Sequence, residues 1–337
     1  MVGPRRRFWT GGPGSARGVP SRPLRVLTWH VHGSYLSYLT QVPVTWLLPV
    51  RPDRADGYGG RGATFTWGDN VVEVPAEEAR HLDVDLVLTQ SRRNWDVDRH
   101  ELLGDRVRDL PRVHVEHDPP PSWPNDALHP VQDPDALLVH VTPFNALMWD
   151  SGTTPSTVVD HGVQVPADAP DWTGDTARAV TVVNNLWNRG RRLGPDVFER
   201  VVRDVPVDLA GMNGDRHPTW LGDVPLADLH RRLPAYRVFF NPIRYTSLGL
   251  AVCEAMALGL PVVGLATTEM ATAVQNGVNG YVDTDPERLV EHLQRLLRDP
   301  DEAAELSAGA RRTAGERFGI ERFVADWTAV LERAVSG

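Results

Sequence analysis

The segment Phe239–Ala266 reads FFNPIRYTSLGLAVCEAMALGLPVVGLA and is the clearest structural signal in the chain. Its pattern predicts a strand, a loop, a helix from about Leu248 to Leu258, and a second strand. Thr246 and Ser247 are residue types that favour a helix N-cap, and apolar residues recur at helical spacing through the following turns. A helix between two buried strands is typical of a parallel α/β sheet.

The start of this helix is suited to an anion, because free backbone N–H groups and the helix dipole favour negative charge there. Gly249 has no side chain and would let a bulky group approach that backbone. Glu254 lies six residues after the predicted helix start at Leu248, about 9 Å along the axis at about 1.5 Å per residue. A carboxylate at that place could accept both hydroxyls of a ribose whose diphosphate rests on the helix start.

The same segment resembles the donor-site signature of GT-B glycosyltransferases, above all family 4, the group 1 glycosyltransferases. That signature is Glu-(Ser/Gly)-Phe-Gly-x4-Glu-Ala-(Met/Leu)-Ala-x-Gly-x-Pro-Val-(Val/Ile). The chain matches it at Ser247, Gly249, Glu254, Ala255, Met256, Ala257, Gly259, Pro261, Val262 and Val263. The first Glu of the signature, which contacts the sugar in the family, is Thr246 here. The resemblance therefore implies nucleotide binding more strongly than it implies a particular sugar.

The resemblance implies a GT-B fold of class α/β, with two Rossmann-like doubly wound domains facing an interdomain cleft. Strand and helix patterns alternate from Leu24 onward, and 337 residues allow two domains of about 150 each. We expect a disordered leader at residues 1–22, an N-terminal acceptor domain at 23–162 and a C-terminal nucleotide-sugar donor domain at 163–318. The last helix, 319–337, is expected to cross back to the N-terminal domain.

The resemblance also implies roles for residues outside this segment. Residues 185–192 resemble a Gly-Arg…Lys-Gly segment that binds the donor diphosphate, with Arg189 at the Lys position and Asn185 near the Arg position. Arg189 is the expected diphosphate clamp, with Arg191 or Arg192 as substitutes. His117 follows a predicted strand and resembles a His that contacts the donor sugar, so His117 and Arg189 are the catalytic candidates. The expected donor-binding residues are Gly33, Asn185, Arg189, Thr246, Ser247, Leu248, Gly249, Leu250, Glu254 and Glu269.

Several of these positions have a plain structural alternative. Arg189 could belong to a solvated basic loop, and His117 could be hydrogen-bonded within a Pro-rich loop.

Gly33 resembles the glycine after the first strand that lets the donor phosphate or the acceptor approach. Glu269 stands near the carboxyl end of a predicted strand, where it could replace the Glu that is missing at Thr246.

Metal ligands at recognisable spacing are few. His30 and His32 share one short loop, but no further cluster of ligands accompanies them. Residues 83–85 and 96–98 have the Asp-x-Asp pattern of metal-dependent GT-A glycosyltransferases, but the first precedes a strand and the second lies in a polar loop. We therefore expect no metal and no cofactor, with a nucleoside diphosphate sugar as the donor substrate.

Composition limits the partners and the location. The net charge of −9 argues against a general nucleic-acid binder. All 35 basic residues are Arg, so any cation that binds phosphate here is a guanidinium. The lone Cys253 forms no internal disulfide and no apolar run is long enough to span a membrane, which favours a cytoplasmic protein. Arg5–Arg7 are compatible with weak peripheral contact to an anionic membrane.

Together the residues and the resemblance predict a glycosyltransferase that moves a sugar from a nucleotide sugar to an unknown acceptor without a metal. The acceptor could be a glycan, a lipid-linked molecule or a small molecule, and a retaining course is implied by the resemblance alone. Two alternatives stay open. A nucleotide-sugar epimerase shares the fold, and a degenerate subunit that only binds nucleotide would fit the Thr at position 246.

Overall fold

The computed structural model describes residues 22–124 and 126–336. The chain divides into two compact units. One extends up to Asp160 and includes the segment from Phe323 onward, and the other is His161–Arg322. The units change at Asp160, where the sequence predicted a boundary at residue 162. The predicted leader lies outside the described residues except for Arg22, whose guanidinium pairs with Asp83 and Asp85 at 2.6 Å each.

The N-terminal unit is built on a parallel sheet. Its strands are β1 (Arg25–Leu27), β2 (Thr45–Val50), β3 (Val71–Pro75), β4 (Leu86–Thr89), β5 (Arg112–Glu116), β6 (Ala127–Leu128), β7 (Ala136–His140), β8 (Trp149–Asp150) and β9 (Ser156–Val158), and its helices include α1 (Gly33–Leu39), α2 (Arg99–Leu103) and α3 (Pro143–Met148). Within the described residues the sheet order is β3-β2-β1-β4-β5-β7-β9, and β6 pairs with β8. Every residue of β4 and β7 is buried, as expected where both faces of a sheet are covered.

The C-terminal unit holds a second parallel sheet. Its elements are β10 (Thr176–Val182), α4 (Pro195–Val201), β11 (Val207–Ala210), α5 (Leu226–Arg232), β12 (Tyr236–Asn241), α6 (Leu250–Ala257), β13 (Val262–Leu265), α7 (Met270–Ala273), β14 (Gly280–Asp283), α8 (Pro286–Arg298) and α9 (Pro300–Phe318). Within the described residues the strand order is β11-β10-β12-β13-β14. Phe198, Phe240, Val263 and Leu293 are buried together in its core.

The last helix, α10 (Ile320–Ser336), is amphipathic. The stripe Phe323, Trp327 and Leu331 is fully buried. The Trp327 indole N–H donates to the Tyr35 hydroxyl at 3.1 Å, so the end of the chain packs within the N-terminal unit. No helix of the described residues combines the length and the apolar character that crossing a membrane requires.

Strand β10 marks the topological switch point of the second sheet. It pairs in parallel with β11 on one side and with β12 on the other, so the chain winds outward in both directions from it. In open α/β sheets, ligands bind beyond the carboxyl ends of the strands at such a point. The loops that follow β10 and β12 are therefore the places where a ligand is expected.

Candidate functional site

The two loops at this switch point are the ones that contain most of the predicted donor-binding residues. One is the loop 183–189 after β10, and the other is the loop 242–249 after β12. They are joined through Arg192, whose carbonyl accepts from the backbone N–H of Arg244 at 3.0 Å and of Tyr245 at 3.1 Å. The Arg192 Nε also donates to the Tyr245 carbonyl at 3.0 Å. The fold thus brings the two predicted segments together at one edge of the sheet.

Helix α6 begins at Leu250, later than the sequence predicted. Gly249 is its N-cap residue, with φ −67° and ψ 133°, and no side chain caps the helix. The predicted capping by Thr246 or Ser247 is therefore wrong, because the extended backbone of Gly249 separates both residues from the first turn. Ser247 and Leu248 are buried in the loop, and Thr246 is half-buried. A Cβ added to Gly249 would meet open space, so this side of the helix start is open.

Glu254 lies on a buried part of α6. Its residue exposure is 6%, and its Oε2 is 3.9 Å from the Nε2 of His230 on α5. A buried carboxylate costs folding free energy, so one that stands near an open helix start is typical of a binding site. Cys253, its neighbour in the chain, is fully buried and behaves as a small apolar residue.

The three arginines after β10 differ in what they already bind. Arg191 pairs with Asp196 at 3.1 Å, and Arg192 is bonded to Tyr245. Arg189 is exposed, and its guanidinium makes no ion pair or hydrogen bond to the part of the chain that the structure describes. Of the three, Arg189 is therefore the one with all its donors available to an anion.

Asn185 is held in a backbone conformation that few residues adopt. Its φ is 59°, in the left-handed region that Asn tolerates better than most side chains. Its Oδ1 accepts from the Nδ2 of Asn213 at 2.5 Å, and its N–H donates to the Met212 carbonyl at 2.9 Å. The structure thus ties Asn185 to the loop after β11, and that contact fixes the course of the chain toward Arg189.

Glu269 is the N-cap residue of α7. It is buried, whereas the sequence suggested a loop residue near the end of a strand. Its carboxylate pairs with Arg317 of α9 and accepts from the Thr272 hydroxyl. The Glu269 carboxylate also acts electrostatically on the His161 ring. Burial lowers the pKa of His161 to about 4, opposed by a hydrogen bond with the Leu248 backbone and by the charge of Glu269. His161 is therefore neutral at pH 7.

His117 follows β5 in the N-terminal unit and is half-buried. Its ring centroid is 4.0 Å from that of His32 and 4.6 Å from that of Tyr35, which meets it edge to face. His32 is the N-cap residue of α1 after β1, so His117 and His32 come from the carboxyl ends of two strands of the sheet. Sequence reasoning found His117 but not its contact with Tyr35.

The space that a side chain at Gly33 would occupy is filled by the protein itself. A Cβ at Gly33 would lie 2.6 Å from Cε2 of Phe65 and 3.0 Å from Nε2 of His30. The missing side chain therefore makes room for Phe65, whose ring also lies close to that of Trp67. Gly33 is, in addition, the first residue of α1, where the sequence predicted a loop.

A buried histidine cluster in the N-terminal unit was missed from the sequence. His114 and Glu116 alternate on β5 and face His129 and His140. Burial, reinforced by His129, lowers the pKa of His114 well below its ordinary value and that of His140 to about 3. The spacing of two residues between His114 and Glu116 is the signal that could have revealed the cluster, because it places both on one face of a strand.

Three of these residues, His114, Glu116 and His129, bring possible metal ligands within 4.8 Å of one another. The hydrogen bonds oppose that use. The Nδ1 of His129 accepts from the Val131 N–H at 3.1 Å, so its proton is on Nε2, which donates to Glu116 at 3.0 Å. A metal on Nε2 would require that proton to leave and the Val131 bond to break, so the cluster is better described as a structural hydrogen-bond network.

Comparison with known proteins adds to this geometry. Residues 200–299 match the family model of glycosyl transferases group 1. The D-inositol 3-phosphate glycosyltransferase of Thermobispora bispora is 40% identical over 114 residues, 32% of this chain and 26% of that protein. The alpha-maltose-1-phosphate synthase of Mycolicibacterium smegmatis is 26% identical over 231 residues, covering 62% of this chain and 59% of that protein. For the first two curated relatives, the match spans only 26% of their length.

Solved structures resemble a larger part of the chain. The sucrose-phosphate synthase of Thermosynechococcus elongatus superposes with a TM-score of 0.67 at 16% identity, over 93% of this chain and 99% of that one. The Anabaena protein HepE, solved in complex with UDP, gives a TM-score of 0.64 at 14% identity, over 93% of this chain and 100% of that one. Identities this low bear on the fold alone, and they confirm the predicted α/β fold of the GT-B type.

Proposed function

We propose that this chain, which has a GT-B fold and a group 1 glycosyltransferase domain at residues 200–299, transfers a sugar from a nucleoside diphosphate sugar to an acceptor. The observation that carries the proposal is the position of Glu254. This buried carboxylate belongs to the helix that follows the switch-point loop, and it lies within the matched residues. A carboxylate there is suited to accept ribose hydroxyls, while a diphosphate rests against the helix start.

Sugar transfer makes a modest chemical demand on the protein. The leaving nucleoside diphosphate gains negative charge as its bond to the sugar breaks, so positive groups aimed at it lower the barrier. The N–H groups at the start of α6 and the guanidinium of Arg189 would supply that charge, and Arg189 has the donors available to do so. In this proposal no metal or other cofactor is needed at the diphosphate.

His117 lies in the N-terminal unit. We assign His117 to contact with the donor sugar, because it is only half-buried and the rings of His32 and Tyr35 hold it in place. The retaining course, the acceptor hydroxyl and a cytoplasmic location are further parts of the proposal. The location is supported by the single buried cysteine, which requires no oxidising compartment.

A ligand screen followed by a turnover assay tests the proposal. The full chain is heated with UDP, GDP, ADP or dTDP, and with their sugars. A ligand present at 100 times its Kd stabilises by about 2.7 kcal/mol, which a thermal shift detects readily. Release of the nucleoside diphosphate is then followed with and without a panel of glycan, lipid-linked and small acceptors. Stabilisation by none of these ligands would contradict the proposal.

The other outcomes separate the alternatives. Turnover without any acceptor, to an isomeric nucleotide sugar, would identify an epimerase. Binding without turnover of any donor would favour a nucleotide-binding subunit, as the Thr at position 246 allows. We expect the activity to survive EDTA, and the anomeric configuration of the product, read by proton NMR, to match that of the donor. Loss of activity with EDTA and its recovery with Mg²⁺ or Mn²⁺ would overturn the metal-free mechanism.

A further inference from the structure

His230 is an isolated polar group in the interior of the C-terminal unit. It lies near the end of α5 and is 3% exposed. Its Nε2 is closed off from solvent and has no hydrogen-bond partner in the part of the chain that the structure describes. The atom it approaches is the Oε2 of Glu254, at 3.9 Å.

The distance of 3.9 Å between His230 Nε2 and Glu254 Oε2 is too long for a hydrogen bond. A structural pair of buried groups would have closed to a hydrogen bond of about 2.7–2.9 Å, because an unmade bond to a buried polar atom costs folding free energy. A gap of about 1 Å beyond that range is within reach of a small rotation of the glutamate side chain. The Nε2 of His230 is thus left without a hydrogen bond in the described part of the chain, and it faces the Oε2 of Glu254.

We propose that His230 positions Glu254 for the ribose of the donor nucleotide, an inference that rests on the proposed function. When ribose hydroxyls bond to the Glu254 carboxylate, the His230 Nε2–H donates to Oε2 and fixes the orientation of that carboxylate. The remaining lone pairs of the carboxylate then face the hydroxyls. Because Nε2 is closed off from solvent, His230 acts through Glu254 and does not touch the nucleotide.

Binding measurements on the full chain test this assignment. The probe is UDP, replaced by GDP or ADP if one of those stabilises the protein better, and its 2′,3′-dideoxy analogue. His230→Leu removes the donor, and His230→Gln keeps an N–H of similar reach. His292→Leu is the control, because His292 lies on α8 and stacks on Tyr281 with 4.2 Å between the ring centroids. Titration calorimetry gives Kd, and unfolding curves show that each variant is folded.

We expect His230→Leu to weaken binding of the ribonucleotide about tenfold to a hundredfold, the range for one lost hydrogen bond to a charged group. His230→Gln should restore most of that affinity, and His292→Leu should change nothing. The dideoxy analogue should bind His230→Leu as it binds the wild type, because the hydroxyls that Glu254 accepts are absent. In a Glu254→Ala background, His230→Leu should change Kd less than twofold.

The contrary results are distinct. Unchanged binding of the ribonucleotide by His230→Leu, with Glu254→Ala weakened, would overturn the role of His230 and leave the proposed function standing. Equal weakening of both nucleotides would show that His230 only supports the fold. If Glu254→Ala also binds as the wild type does, the ribose assignment falls together with that of His230. If the wild type binds none of the nucleotides, the proposed function itself is wrong.

Discussion

Individual residues of the site were predictable where local sequence fixes the geometry. Glu254 was expected on the helix of this segment and lies on α6, because the motif spacing is a property of the chain itself, although the helix starts two residues later than predicted. The partners of the site residues were not predictable in this way. Arg317 reaches Glu269 across 48 positions in sequence, and His230 comes to Glu254 from a different helix. Such contacts depend on how whole helices and strands pack, and a local sequence pattern does not predict that packing.

Removing the Glu254 carboxylate should damage binding more than folding. We expect Glu254→Ala to weaken the best-bound nucleoside diphosphate by about 1.5–3 kcal/mol, or more than tenfold, because hydrogen bonds to a charged acceptor are lost. Calorimetric titration gives the change in Kd, and the urea midpoint shows whether the variant is folded. Unaltered affinity in a folded variant would rule out the ribose role.

Glu269 gives a second prediction, in which stability changes first. Its carboxylate is 2% exposed and pairs with Arg317, whose side chain is 23% exposed. Glu269→Ala takes this carboxylate away from a partly buried guanidinium, so we expect the free energy of unfolding to fall by about 1–3 kcal/mol. Urea unfolding measures this. Glu291→Ala is the control, because the Arg288–Glu291 pair is exposed and worth at most about 0.5 kcal/mol.

Glu269→Ala also tests whether Glu269 contacts the donor sugar. A Glu269→Ala protein that is folded, binds nucleoside diphosphate normally and has a lower kcat/KM would support the predicted contact with the donor sugar. Stability equal to the wild type would instead show that the pair with Arg317 contributes nothing. Turnover equal to the wild type would show that Glu269 does not replace the Glu missing at position 246.

At the scale of elements, several short and mainly buried strands were predicted well. The sequence pattern predicts strands at Thr45–Val50, Arg112–Glu116 and Val207–Ala210, and these are the bounds of β2, β5 and β11, because each is a short, mainly buried run between turn residues. Strand β3 was missed, since only Val71 and Val74 of its five residues are buried and it contains both a Glu and a Pro. The start of α6 was misplaced because the Ser and Thr that resemble caps lie in a buried loop instead.

Helix α9 offers a test of packing against helix propensity, because it contains two glycines in different surroundings. A Cβ at Gly309 would lie 1.8 Å from the carbonyl oxygen of Val278, whereas one at Gly315 would meet nothing within 4 Å. Replacing a helical Gly by Ala gains about 1 kcal/mol in propensity. A clash with backbone costs about 1–3 kcal/mol or more.

We therefore expect opposite signs at the two positions. Gly315→Ala should raise the free energy of unfolding by up to about 1 kcal/mol, and Gly309→Ala should lower it because the clash outweighs the propensity. Both are measured by urea unfolding under the same conditions. Stabilisation by Gly309→Ala would mean that α9 does not lie as close to the turn at Val278 as the structure places it.

At the scale of the whole molecule, both units bury histidines that are held neutral. Burial lowers the pKa of His140 in the N-terminal unit to about 3 and that of His161 in the C-terminal unit to about 4. In the unfolded chain both return to the ordinary value of 6.5. Between 6.5 and 4 the unfolded chain binds protons that the folded protein does not, so falling pH favours unfolding.

The expected result is a loss of stability that begins well above the range in which carboxylates titrate. The contribution of these histidines is fully present above pH 6.5 and declines as the pH falls toward the folded-state values. Each contributes a slope of up to about 1.4 kcal/mol per pH unit. Urea unfolding at pH 7.5, 6.5, 5.5 and 4.5 measures it, and His161→Gln, which removes one titrating group, should flatten the decline. A free energy of unfolding that stays level or rises between pH 6.5 and 4.5 would show that these rings take up protons in the folded protein as readily as in the unfolded chain.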